Sequence, residues 1–175
     1  MLFRSEAVVG AKPDLVVLYL SASNRKAAAA LHQAGIRTLT MRTDGIADLR
    51  RMAERLHAVT GDTSAILAAD SVLRSVDGVR VLARPAHAPR AFWMLYDAAT
   101  QAWTMGRASY MHELLTIAGA ENAFGDIAES SAQVSVEEVV RRNPDLIVAG
   151  PRTAKQLRES AAWRLVPAEI GRAHV

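Results

Sequence analysis

A ten-residue pattern occurs twice in the chain, 131 positions apart. Val8-Val9-Gly10-Ala11-Lys12-Pro13-Asp14-Leu15-Val16-Val17 is matched by Val139-Val140-Arg141-Arg142-Asn143-Pro144-Asp145-Leu146-Ile147-Val148. The shared form is V-V-x-x-x-P-D-L-[VI]-V, and it has a mechanical reading. A short helix ends before the proline, because the residue preceding proline is disfavoured in helical conformation. The Pro-Asp pair makes the turn. The apolar run that follows is short, rich in β-branched residues and not alternating, as expected of a strand buried on both faces of a parallel sheet. Two distant copies of one helix–turn–strand unit predict two similar α/β lobes.

The residues between the copies continue the pattern. Asn24–Ala34 is alanine-rich and helical and stops at Gly35, a C-terminal capping glycine. Ile36–Met41 reads as a second strand. Asp44 is placed to cap a helix over Ile46–Val59, in which Ile46, Leu49, Met52, Ala53, Leu56 and Val59 keep helical spacing, and Gly61 closes it. From Ser64 to about Arg84 the only strong breaker is Gly78, and Ile66, Leu67, Val72, Leu73, Val76 and Val79 predict one helix of about 20 residues, ~30 Å long. Pro85 and Pro89 end it. Ala91–Tyr96 reads as a strand opening the second lobe. Ser109 caps a helix over Tyr110–Ala118 that stops at Gly119, and Ser135 with Glu138 forms a capping box for the helix of the second repeat copy. Leu146–Ala149 follows as a strand, Ala154–Ser160 as a helix and Trp163–Val166 as the start of another strand.

The two ends carry a further signal. Leu2-Phe3-Arg4-Ser5 can be encoded by CTC TTC CGA TCT, and the reverse complement of that word, shifted by one base, encodes Glu169-Ile170-Gly171-Arg172. The word matches a sequencing-library adapter. The expectation is that residues 1–5 and 169–175 are adapter-encoded, that the gene is cut at both ends, and that a signal peptide is not to be sought here.

Composition narrows the chemistry. There is no cysteine, which excludes disulfides, thiolate zinc sites, iron–sulfur clusters and cysteine nucleophiles, but does not choose a compartment. The longest wholly apolar runs, such as Leu15–Leu20, are far short of the ~20 residues of a membrane helix. The net charge of +3 comes from scattered arginines with only three lysines, not from a basic face with interleaved aromatics, so nucleic acid is not an expected partner. The histidines His32, His57, His87, His112 and His174 show no metal-ligand spacing, and His112-Glu113 lacks the second histidine of a zincin motif. Met105–Ser109 precedes a helix that can receive an anion, but its single glycine is too few for a dinucleotide or P-loop fingerprint. No nucleophile–base–orienter set is visible, so no enzyme activity is expected. The aromatics are better placed: Tyr19 and Tyr96 end strands and Trp103 lies seven residues later in a loop, positions where open α/β sheets bind flat, apolar ligands.

The repeated P-D-L-V-V unit, the long central helix, and Thr104-Met105-Gly106-Arg107-Ala108-Ser109 continuing through Ala118-Gly119-Ala120-Glu121-Asn122-Ala123-Phe124 to Gln133-Val134-Ser135-Val136-Glu137-Glu138 together resemble the periplasmic substrate-binding proteins of ABC importers for ferric siderophores, haem and vitamin B12. The resemblance covers nearly all of residues 6–168. It implies two Rossmann-like lobes with parallel sheets flanked by helices, joined by one long stiff helix and incomplete at both termini. Residues 6–62 would be the C-terminal part of the N-lobe, 63–84 the interlobe helix and 85–168 an incomplete C-lobe.

It also implies a monomer outside the cytoplasmic membrane, in the periplasm or lipid-anchored, with no resident cofactor. Its partners would be a metal chelate held between the lobes and an ABC permease. On the family pattern Tyr19 and Trp103 occupy cleft-aromatic positions and Ser131 stands where cobalamin-type members carry another tryptophan. The ligand-facing set is then Tyr19, Ser21, Tyr96, Trp103, Met105 and Ser131. Glu137 matches a C-lobe glutamate that pairs with a permease arginine, whereas Arg25 falls where the N-lobe glutamate belongs. A chain cut at both ends is expected to bind weakly and to leave sheet edges uncovered. Two other classes stay open: a fragment of a Rossmann-like intracellular enzyme, and an interaction protein of the same fold without a small ligand. A corrinoid or ferric siderophore is favoured over haem as cargo.

Overall fold

The computed structural model describes residues 5–82, 86–98, 101–166 and 169–172. In chain order the elements are α1 (Ser5–Gly10), β1 (Leu15–Tyr19), α2 (Ala22–Gln33), β2 (Arg37–Met41), α3 (Ile46–Thr60) and α4 (Ser64–Arg80). Then come β3 (Arg90–Ala98), β4 (Gln101–Met105), α5 (Tyr110–Ile117), β5 (Glu121–Asn122), β6 (Ser131–Ser135) and α6 (Val136–Arg142). The chain closes with β7 (Leu146–Ala149), α7 (Pro151–Glu159), a 3₁₀ turn over Trp163–Leu165 and β8 (Glu169–Arg172).

The two repeat copies fall in two separate sheets. β1 pairs in parallel with β2 to form a two-stranded sheet, and β7 lies in a six-stranded sheet ordered β6-β4-β3-β7-β8, with β5 paired to β3. Equivalent residues make equivalent contacts. Val8 and Val16 pack with Leu18, Leu31 and Ile36 in the N-lobe, and their counterparts Val139 and Ile147 lie in the C-lobe core with Phe92, Phe124 and Trp163. That core has a tilted Phe92–Phe124 pair with centroids 5.4 Å apart and a stacked Phe92–Trp163 pair at 5.9 Å. Such ring pairs add to the burial itself.

The structure differs from the sequence reading in several places. β1 is not buried on both faces: Leu18 is buried, but Val17 and Tyr19 are 48% and 44% exposed, because helices α1 and α2 supply only one layer. The large sheet is mixed rather than parallel, since β3 turns back antiparallel into β4 and β4 pairs antiparallel with β6. Trp103 lies within β4, not in a loop, and the strand ending in the sequence reading at Tyr96 runs on to Ala98. Trp163–Val166 does not begin a strand; the indole turns inward in a 3₁₀ turn and is buried. α7 starts earlier, at Pro151, a residue preorganised for a first helical turn. The helix expected to reach Arg84 stops at Arg80; residues 83–85, including Pro85, lie outside the described residues.

Helix α3 is also capped differently. Gly45, not Asp44, is the N-cap, and the Asp48 carboxylate reaches back to accept from the backbone N–H of Asp44 (3.1 Å) and of Gly45 (3.0 Å). A short aspartate inside the first turn satisfies two N–H groups that the helix cannot. Gly35, Gly61 and Gly119 adopt φ of 77°, 73° and 84°, and Ser109 and Ser135 accept from Met111 N and Glu138 N as read, but the Glu138 carboxylate turns to Arg141 and Arg142, so only the Ser135 half of the expected capping box forms. α4 bridges the lobes, packing against α3 on one side and α5 on the other, with Arg50 paired to Asp70 at 2.5 Å. At 17 residues it spans ~25 Å. The backbone of Glu169–Arg172 is laid as an edge strand along β7, from Leu146–Glu169 to Ala149–Arg172. Residues 1–4 and 173–175, with His174, lie outside the described residues.

Candidate ligand-binding site

The C-terminal ends of strands are where open α/β sheets leave a crevice. At that end of the N-lobe, Tyr19 stands opposite Met41 in register, with Leu20 N bonded to Met41 O at 2.8 Å and the Asn24 amide to Tyr19 O at 2.9 Å. The backbone is thus held, and the ring is left exposed. Its hydroxyl donates to the Asp44 carboxylate, which also takes Arg42 through Nη2 at 2.7 Å and Nε at 3.0 Å. The hydrogen bond to Asp44, then partial burial and the charge of Asp44, push the Tyr19 hydroxyl above its ordinary value. Tyr19 therefore presents a neutral phenol and a ring face, not a phenolate. Ser21 is spent on structure: its Oγ caps α2 by accepting from Asn24 N at 3.1 Å.

The C-lobe residues of the candidate set gather on three adjacent strands. Trp103 lies opposite Gln133 on β6 and Tyr96 on β3, and Met105 lies opposite Ser131. A bulge between Met94 and Tyr96 bends β3 beside them, a device that re-aims side chains near sites. Trp103 and Ser131 are half-buried and Met105 is buried. The side chain of Tyr96 lies outside the described residues. Register therefore brings Trp103, Met105 and Ser131 together with the backbone of Tyr96, and leaves Tyr19 and Ser21 on the other sheet.

Three residues of the surrounding motif explain how this edge is built. The Thr104 hydroxyl, wholly buried, donates to Trp93 O at 2.8 Å. Gly106 has no room for a side chain, since a Cβ there would lie 2.8 Å from Ile127 O and closer still to Glu129 O. Buried Asn122 donates from Nδ2 to Met105 O at 2.9 Å and accepts at Oδ1 from Phe124 N at 3.0 Å. The sequence reading gave Asn122 no role of its own, although asparagine side chains commonly bond nearby backbone groups. The loop of residues 105–109, read as able to receive an anion, is instead tied to the segment before β6: Arg107 N bonds Ile127 O at 2.9 Å, and Ser109 caps α5.

The larger cavities lie elsewhere. Apolar troughs of about 590 and 380 Å³ share Val72, Val76 and Leu114 along α4, and neither is lined by any of the six candidate residues. A polar cavity of about 520 Å³ lies by the start of β3, around Arg90, Asn122, Asp126 and Arg142. Arg142 binds Asp126, Glu138 and Ala123 O and lies 4.3 Å over the Phe124 ring, which marks a structural hub. Among the described residues no group of three or more His, Asp or Glu side chains is arranged to hold a metal. Glu137 is exposed in the first turn of α6, where bonds from its own N–H and then the Ser135 hydroxyl hold its carboxyl below the usual range. Arg25 is likewise exposed in the first turns of α2.

The sequence profile of the periplasmic binding protein family matches residues 2–170. The chain belongs to that family. A vitamin B12-binding protein of Salmonella typhi is 27% identical over 159 residues, covering 90% of this chain and 59% of the relative. The solved periplasmic vitamin B12-binding protein of Vibrio cholerae superposes with a TM-score of 0.75 at 19% identity, covering 97% of this chain and 68% of that one. The periplasmic heme-binding protein of the same organism superposes with a TM-score of 0.74 at 16% identity, covering 98% and 71%. At these identities the two structures establish the periplasmic binding protein fold. The chain spans 59% of the length of the Salmonella relative.

Proposed function

We propose that the protein is the substrate-binding component of an ABC importer, which captures a metal chelate, a corrinoid or a ferric siderophore, between its lobes and delivers it to the permease from the periplasm. The observation that carries this reading is the separation of the two repeat copies into two sheets bridged by α4, with Tyr19 at a strand end of one and Trp103 within the other. This architecture suits the capture of a cargo without its transformation, and the family match over residues 2–170 supports it.

The Tyr19 hydroxyl is already engaged by Asp44, which leaves its exposed ring face as the contact it offers a ligand. A corrinoid or a ferric chelate that brings its own donors needs only such a face. Glu137, exposed and ionised, is the C-lobe contact for a cationic permease residue, while Arg25 reverses the sign on the N-lobe. The protein acts as a monomer in this reading.

The test is a visible-absorbance titration of the protein expressed from its full reading frame with cyanocobalamin, a ferric hydroxamate and hemin, repeated for Trp103→Ala. Saturable one-to-one binding of the corrinoid or the ferric hydroxamate, weakened in the variant, is expected. Binding of hemin alone moves the assignment to haem, and silence toward all three refutes the receptor reading.

A further inference from the structure

The N-terminus of helix α3 leaves N–H groups that its own ladder cannot satisfy; Asp48 serves that of the N-cap Gly45 and that of Asp44 just before it. The next, Ile46 N, is served from the other lobe: Glu113, in the first turn of α5, accepts it through Oε2 at 3.2 Å. The two carboxylates share the positive end of one helix, but only Glu113 crosses from one lobe to the other.

The contact borders an open apolar trough of about 380 Å³, lined by Ile46 and Leu49 of α3, Val72 and Val76 of α4, and Tyr110 and Leu114 of α5. α3 and α5 face each other across that trough, and the bond from Ile46 N to Glu113 spans it. On the N-lobe side, Arg50 ties α3 to α4 through Asp70 at 2.5 Å. Glu113 supplies the tie on the other side, between α3 and the C-lobe.

We infer that Glu113 is a positioning residue: a strut whose carboxylate, seated on the α3 N-terminus, sets the angle between the two lobes and hence the width of the cleft. Gly45 belongs to the same device. A Cβ at Gly45 would lie 2.9 Å from Glu113 Oε1, so the missing side chain is what lets the carboxylate dock. At φ −122° the position demands no glycine for backbone reasons; glycine suits an N-cap, and here it also leaves the carboxylate room. The consequence for ligand capture rests on the proposed function; the strut itself does not.

The absence of native cysteine makes a direct test practical. Spin labels on Lys26→Cys in α2 and Glu159→Cys in α7, both exposed and remote from the contact, report the interlobe distance of the ligand-free chain by pulsed electron–electron resonance. The parent and Glu113→Gln, whose amide oxygen still accepts, are expected to give one narrow distribution. Glu113→Ala should shift the ratio of displaced to parent separations about fivefold, the ordinary net worth of one hydrogen bond. Gly45→Ala should do the same by pushing only the end of a flexible side chain, and the double variant should shift no further than either alone. Parent-like distributions in both single variants overturn the inference, and so does a double variant whose shifts add. Far-UV circular dichroism checks folding, and if Glu113→Ala unfolds, a parent-like distribution in Gly45→Ala is sufficient to overturn it. No ligand enters the measurement, so its failure is distinct from failure of the receptor reading.

Discussion

Replacing Asn122 by alanine removes two backbone ties at once. Phe124 N loses its acceptor and Met105 O its amide donor, both in buried surroundings. An unsatisfied buried polar group costs about 1–3 kcal/mol, so the pair amounts to about 3 kcal/mol. In a domain of this size that lowers Tm by about 9 °C. The measurement is urea unfolding, with the shift in midpoint multiplied by an unchanged slope. Asn122→Asp separates the two ties. Its carboxylate still accepts from Phe124 N but sets a second acceptor against Met105 O. The folded chain then favours the protonated acid, raising the folded pKa above the ordinary ~3.9. Stability of Asn122→Asp is therefore highest below ~3.9 and falls as pH rises through the folded value, whereas Asn122→Ala shows no such dependence. Both are compared in a His112→Ala background, because His112 Nδ1 lies 3.4 Å from the amide. A loss under about 1 kcal/mol for Asn122→Ala, or parallel pH profiles for the two variants, refutes the account of this residue.

Other substitutions probe separate features. Gly106→Ala drives a methyl into the carbonyls of Ile127 and Glu129, which cannot yield as a side chain would, and should cost about 1–3 kcal/mol by chemical denaturation; a neutral result contradicts the close approach. Asp48→Ala should cost about 1 kcal/mol at pH 7 through the lost cap. The bond from Arg51, and then from Gly45 N–H, holds the Asp48 carboxyl below its ordinary value of 3.8, so the deficit should vanish as pH falls beneath that value and through the lower folded one. Phe92→Ala empties the centre of the Phe92–Phe124–Trp163 cluster and should cost about 3–5 kcal/mol. Trp163→Phe should cost far less than Trp163→Ala on the same assay, because the buried indole N–H has no partner among the described residues.

What the amino-acid order determined by itself was local and repeated. Pro13 and Pro144 end helices, the apolar runs behind them become strands, and Ser109, Ser135, Gly61 and Gly119 terminate helices as their chemistry requires. Each depends on groups a few residues apart, so a linear reading contains both partners. The repeat also carried the two-lobe plan, because like patterns bury like residues: Val8 on Val16, Val139 with Ile147.

The rest depended on which distant segments meet. Nothing near Leu15–Tyr19 states that this run receives only one covering layer, or that β4 and β6 pair antiparallel and carry Trp103, Met105 and Ser131 into register. Asn122 and Gly106 stand in the motif that carries the resemblance, but what each does is invisible until Met105 O, Ile127 O and Glu129 O stand beside them. Glu113, 67 positions from Ile46, reads as a solvated charge until the lobes bring it to the end of α3. Turns and caps are chosen by short-range geometry, whereas burial, sheet order and contacts between lobes are properties of surfaces that exist only once the chain has closed on itself.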